Sequence, residues 1–175
     1  LLGWDIPVLG GKYEVDQFDD EHAVYLIITG LNGEHHASAR LLPTDRPHIL
    51  ADLFGSLCDS EVRRGPGILE ITRFCLDRGL TSAGRRAARN QLVSAIAEYG
   101  IANSIHMFTG VAEMGWFRQI LRFGWRSHAL GRPQNIGERT LAAIAIEIDR
   151  ETPALLAQAG IYSMPQIAGG AHNAA

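Results

Sequence analysis

The chain has 175 residues, 46% of them hydrophobic and 20% charged, with a formal net charge of -3. That balance excludes a disordered or collagen-like chain and suits one domain with a sizeable core. It also excludes the global basic field that gathers nucleic acid.

In chain order, the first twenty residues read as irregular, broken by Pro7 and Gly10-Gly11. An acidic stretch follows: Glu14, Asp16, Asp19, Asp20 and Glu21. Residues 23–29 are β-branched and apolar, as a central strand requires. Asn32-Gly33 is a hairpin turn, and the returning strand, 34–42, stops at Pro43. Residues 47–57 are predicted as a short helix, with Asp45 as a candidate cap, and 63–67 as a turn. Residues 68–76 are the next strand. Thr81 or Ser82 caps a long helix ending near Tyr99, with Gly100 at the stop position and Leu92, Val93 and Ile96 on its inner face. A strand over 104–109 precedes a helix over 113–123, stopped by Gly124. Strands over 125–130 and 140–148 flank the loop 131–137. A last helix covers 151–159, and the tail from Ile167 is expected to fray. The pattern predicts an α/β domain spanning 1–175, one mixed sheet with helices on its faces.

Few residues stand out chemically. Glu70 and Arg73 place an acid and a base inside an apolar strand, where each needs a partner. Residues three apart on a straight strand face opposite sides. The two reach one cleft only across a bulge or strand end, and otherwise belong to separate ion pairs. Asp16 and Asp19 are either a solvated charge run or half of a cluster with Arg40 and Arg73. Arg85, Arg86 and Arg89 crowd the start of the long helix, where the macrodipole disfavours cations. They make either an anion- or acidic-partner surface or a solvated face. Trp4, in an irregular Gly-Trp-Asp segment, suits an aromatic closing over a ligand. Trp116 and Trp125 suit the core. The seven histidines lack ligand spacing, so no metal site is expected. No phosphate-binding glycine loop is present. Cys58 and Cys75 do not make a disulfide framework, and no apolar run reaches membrane-spanning length; a cytoplasmic location is expected.

Together the segments Leu2-Gly3-Trp4, Asp16-Gln17-Phe18-Asp19, Ala39-Arg40-Leu41-Leu42-Pro43-Thr44 and Glu70-Ile71-Thr72-Arg73-Phe74 resemble the N-acyl-homoserine-lactone synthases of bacterial quorum sensing. The likeness continues more loosely through Phe123-Gly124-Trp125 and Leu130-Gly131-Arg132-Pro133, to about residue 150. The resemblance implies an N-acetyltransferase-like (GNAT) sandwich. It implies an acyl donor on acyl carrier protein or coenzyme A, and S-adenosylmethionine as co-substrate, with no permanently bound cofactor. It makes Glu70 the general base and Arg73 the arginine that orients the charged cluster. It assigns Trp4, Asp16, Asp19, Arg40 and Phe74 to the acceptor site. His106, Met107, Phe108, Met114, Trp116 and Phe117 become candidate walls of the acyl pocket, with core packing as the alternative. Arg85, Arg86 and Arg89 become a docking face for an acidic carrier. A backbone N–H near 74–76 or on the strand 104–109 would stabilise the oxyanion. The resemblance also leads one to expect a further N-terminal segment ahead of Leu1. Two other readings compete: a GNAT acyltransferase using acyl-CoA and a different amine, and a silent module that binds acyl thioester or S-adenosylmethionine. Neither nucleic acid nor membrane insertion is expected.

Overall fold

The computed structural model describes residues 8–9 and 13–164, with side chains from residue 15 onward. Strands β1 (Val8–Leu9) and β2 (Tyr13–Glu14) form a small antiparallel pair in the segment expected to be irregular. The main sheet begins with β3 (Val24–Thr29) and β4 (His35–Pro43), whose turn uses Gly33 at φ +82°. That positive φ is cheap only for glycine, so Asn-Gly marks the hairpin. β5 (Ile68–Leu76) pairs antiparallel with β4 and parallel with β6 (Met107–Glu113). β7 (Arg126–Ala129), β8 (Gln134–Ile136) and β9 (Arg139–Glu147) complete it. The spatial order is β3-β4-β5-β6-β9-β7, with β8 paired to β9. β8 lies inside the predicted 131–137 loop and turns back through Gly137 at φ +60°.

The helices are α1 (Ile49–Leu53), α2 (Ser82–Ala102), α3 (Met114–Ile120) and α4 (Thr152–Gln158). One face of the sheet packs on α2, α3 and α4 through Leu92, Val93, Ile96, Phe117, Ile144, Ile146 and Leu156. On the other face Leu50 of α1 and Leu57 of a 3-10 turn (Gly55–Leu57) meet Leu141 and Ala143. Alternate β9 residues thus serve opposite layers, as the two-residue strand period demands.

Three boundaries differ from expectation. α2 is capped by Thr81, which accepts from the Gly84 N–H, but runs through Gly100 to Ala102. Gly100 is buried, and a Cβ there would lie 3.0 Å from Phe108 and 3.2 Å from Ile148. It is a close-approach glycine, and Ser104, at φ +57°, takes the left-handed position beyond the helix. β6 consequently starts at Met107 rather than at 104, after a turn in which His106 N–H donates to the Gly67 carbonyl. Asp45 does not cap α1. The helix starts after His48, whose side chain makes no cap bond, and the Leu50 N–H is satisfied by the Glu70 carboxylate on β5. Tertiary structure supplies the cap that local sequence omits.

Candidate active site

β5 carries two irregularities that build the site. Ser38 pairs with Cys75 and Arg40 with Thr72, so β5 holds one residue more than β4 between the same rungs. The surplus falls at Arg73, a non-glycine residue at φ +47°. This is the bulge that two residues three apart needed to share one cleft. The second irregularity is a split. β5 and β6 pair from Ile68–Met107 to Ile71–Gly110, and then both continue without further rungs. A Cβ on Gly110 would stand 3.0 Å from the Ile71 carbonyl oxygen at this point.

A cavity of about 650 Å³ occupies the split and is lined by residues from both faces of the sheet. On the α1 face it meets Asp16, Arg40, Glu70, Arg73 and Thr109. On the α2 face it meets Val93, Ile96, Phe123, Trp125, Ile144 and Ile146. Phe74 and Trp116 line the passage, their rings 4.8 Å apart.

The charged end is an ordered network. Arg40 is fully buried, donating Nη1 to Asp16 Oδ1 at 2.8 Å and to Asp19 Oδ1 at 2.5 Å. Its Nη2 reaches Asp16 Oδ2 at 3.1 Å, and its Nε donates to Thr72 Oγ1 at 2.9 Å. Arg73 Nη2 lies 3.0 Å from Asp16 Oδ2 and 3.2 Å from Asp19 Oδ2. The Tyr25 hydroxyl also donates to Asp19. Burial pushes both aspartates up, but these donors and the Phe18 and Asp16 N–H groups outweigh it and hold both below the usual carboxylate range. Burial likewise opposes the Arg40 charge, and the two carboxylates overcome it. Two guanidiniums against two carboxylates leave a neutral, fork-locked scaffold.

Glu70 is different. It is fully buried, and Oε1 accepts from the Leu50 N–H at 2.9 Å. Oε2 has no hydrogen-bond partner among the described residues. Burial drives its carboxyl up to about 8, against weaker opposition from the Leu50 and Ile49 N–H groups and Arg40. A proton-accepting group poised near neutrality, beside a cavity, suits acid–base work.

The structure brings Asp16, Asp19, Arg40, Glu70, Arg73 and Phe74 together. Trp4 lies outside the described residues. Of the six proposed acyl-pocket residues, Trp116 alone lines the cavity. Met107 packs with Ile68 and Ala145, Phe108 and Phe117 are core, Met114 packs against that core, and His106 is exposed beside Gly67. For Met107 and Phe108 the reason is the split: they sit in the paired part of β6, ahead of Thr109 and Gly110 where the cavity begins. Arg85 donates to the Leu80 carbonyl, and Arg89 bonds Asn90 and sits 5.2 Å over the Phe123 ring. Both serve the fold; Arg86 is exposed. Sequence reading missed Tyr25, Thr72, Thr109 and the walls Val93, Ile96, Phe123, Trp125, Ile144 and Ile146. Burial was signalled for Val93 and Ile96 by helical spacing and for Trp125 as a core aromatic, but not their place on a cavity. Among the described residues no group of His, Cys, Asp and Glu is arranged to hold a metal ion, and no helix is long and apolar enough to cross a membrane.

A split mixed sheet flanked by helices is the N-acetyltransferase-like class, and a putative N-acetyltransferase from Lactobacillus plantarum shares the fold at TM-score 0.54 and 14% identity, over 77% of this chain and 75% of that one. The autoinducer synthase family matches residues 1–156, and the chain belongs to that family; it is an enzyme that makes acyl-homoserine lactone. The acyl-homoserine-lactone synthase of Ralstonia nicotianae is 32% identical over 171 residues, 94% of this chain and 83% of the relative. The structure of TofI in a ternary complex with an inhibitor and MTA is 31% identical at TM-score 0.76, over 89% of this chain and 80% of that one. That of BjaI, a CoA-dependent acyl-homoserine lactone synthase with SAM and isopentyl-CoA, is 25% identical at TM-score 0.81, over 95% and 78%.

Proposed function

We propose that the chain joins a fatty acyl thioester to S-adenosylmethionine, with the acceptor on the α1 face, the acyl chain on the α2 face and the thioester carbonyl in the split between β5 and β6. One observation carries this reading: a single cavity runs from a two-sign charge cluster, past a buried carboxyl, to an apolar slot. The ligands named for TofI and BjaI support the same pair of substrates.

The acceptor carries an ammonium, a carboxylate and a sulfonium. Arg73, which borders the cavity beside Asp16 and Asp19, is the arginine for the carboxylate, and the aspartates favour the cationic groups. Glu70 is largely protonated at pH 7 in the protein alone. An incoming ammonium and sulfonium favour its charged form, so substrate binding switches on its own base. The carboxylate then takes the ammonium proton, and the free amine attacks the thioester carbonyl. The C–N bond forms, the C–S bond breaks, the nitrogen's second proton leaves with the thiolate, and Glu70 is left protonated. In the second step the methionyl carboxylate attacks the γ-carbon, closing the lactone and expelling methylthioadenosine.

Coenzyme A and acyl carrier protein both present the thioester on a flexible arm. Exposed Arg78, which borders the cavity, and exposed Arg86, Arg118 and Arg122 suit the phosphates of the first or the acidic face of the second. Both substrates are cytoplasmic metabolites, and that is the proposed location. The test is to incubate the protein with S-adenosylmethionine and a panel of acyl-CoA and acyl-carrier donors. Mass spectrometry is expected to find methylthioadenosine and an acyl lactone in equal amounts. Finding neither with any donor rejects the reading; acyl transfer to another amine without S-adenosylmethionine replaces it.

A further inference from the structure

We propose that the hydroxyl of Thr109 is a catalytic hydrogen-bond donor to the oxyanion that forms on the thioester carbonyl, opposite Glu70. The inference rests on the acyl-transfer reading above.

Three observations lead to it. Thr109 is 1% exposed, and its Oγ1 has no hydrogen-bond partner among the described residues. A buried hydroxyl left in that state costs stability, and native proteins keep few of them without a purpose. Thr109 is also the ladder partner of Glu70, on the neighbouring parallel strand and one rung before the split. Side chains at paired positions emerge on the same face, with their strands about 4.8 Å apart. Finally, both residues border the same cavity, and the orphan on Glu70 is its Oε2. Two unpaired atoms thus face one space from adjacent strands, and they do not bond each other.

Their chemistry is complementary. The Glu70 carboxylate accepts a proton, and the Thr109 hydroxyl donates one in a hydrogen bond. A group that satisfies both presents N–H on one side and O⁻ on the other. The tetrahedral intermediate of amide formation has that form. The amine lone pair makes the C–N bond, the carbonyl π pair moves onto oxygen, and Thr109 stabilises that charge while Glu70 holds the nitrogen's proton. On collapse the oxygen pair re-forms the carbonyl, the C–S bond breaks, the thiolate takes the nitrogen's second proton, and Glu70 keeps the first. Thr109 neither gains nor loses its proton. Gly110, next along β6, has no side chain to obstruct the carbonyl at the split.

The test compares Thr109→Val, Thr109→Ser and Glu70→Gln with the unaltered chain, assayed by methylthioadenosine release with the best acyl donor. T109V keeps the shape and removes the hydroxyl. Its kcat is expected to fall about 100-fold, with both KM values within about threefold and the rate–pH midpoint unmoved. T109S is expected to keep at least about one third of the unaltered kcat. The melting temperature of T109V is expected to equal or exceed that of the unaltered chain, because an unpaired buried hydroxyl becomes a methyl. Thr109→Ala replaces T109V should the latter not fold. A T109V kcat within about threefold overturns the inference, as does a loss confined to KM. A full rate recovered at a displaced pH optimum also overturns it, because the hydroxyl then acts through Glu70. An unaltered chain that releases no methylthioadenosine with any donor overturns the acyl-transfer reading itself; an active one with an indifferent T109V overturns only the role of Thr109.

Discussion

Replacing Glu70 by glutamine tests the buried carboxyl through stability and turnover together. Glutamine keeps the acceptor for the Leu50 N–H and the volume, and removes the titration. The carboxyl ionises near 4.5 in the unfolded chain and near 8 in the folded one. Between those values the unfolded state sheds a proton that the native state keeps, so stability falls as pH rises. It is fully present below 4.5 and flattens above 8. At about 1.4 kcal/mol per pH unit, that interval amounts to about 5 kcal/mol. Denaturant unfolding at pH 5 and pH 9 samples most of that interval and should show the unaltered chain losing about 4 kcal/mol more than Glu70→Gln. A stability difference between the two chains constant within about 1 kcal/mol over that range would mean an ordinary solvated carboxyl, and the burial argument would fail. In turnover, the same variant should lose about 10²- to 10⁴-fold in kcat/KM, with the rise of rate toward pH 8 abolished. A loss below tenfold with that rise intact would remove Glu70 from the chemistry.

Other substitutions probe the remaining parts. Arg40→Met removes the fully buried guanidinium and leaves Arg73 as the one cation paired with both aspartates, and should cost about 3–5 kcal/mol in chemical denaturation. Arg73 is partly exposed and its partners keep Arg40, so Arg73→Ala should leave the far-UV circular dichroism spectrum unchanged while turnover drops about 100-fold or more. Asp16 and Asp19 ionise below the usual value in the folded state. Their stabilisation is present above pH 3.8 and lost as pH falls through the lowered folded values, so Asp16→Asn should flatten the acid limb of a stability profile. Ile146→Trp fills the α2 side of the slot, and in competition between mixed donors the product spectrum should move toward shorter acyl chains. An unchanged spectrum would put the acyl chain elsewhere.

The order of elements was legible because local signals agreed. Apolar β-branched runs, Asn32-Gly33, the Thr81 cap and Gly124 at φ +99° each specify conformation over a few residues. The charged site was legible only as one of two alternatives. Arg73 in an apolar strand and Arg40 at a strand end need partners, and Asp16 and Asp19 read as those partners or as a solvated run until the resemblance joined them. The acyl wall was not legible, because an apolar side chain reads alike in a core and in a slot. Gly100 misled for a related reason: a helix stop and a close helix–strand contact both call for glycine, and only the approach of Phe108 distinguishes them.

By itself, then, the sequence determined the long strands and the helices, though not the short β1, β2 and β8, and which strand-borne charges must be compensated, since both follow from local preference and from the cost of bare charge in a low-dielectric interior. Tertiary structure alone decided where β5 leaves β6, which carboxyl stays with one oxygen unpaired, and which apolar side chains border the opening. Those depend on where backbones run out of register and separate, and no single stretch of chain encodes the distance to another.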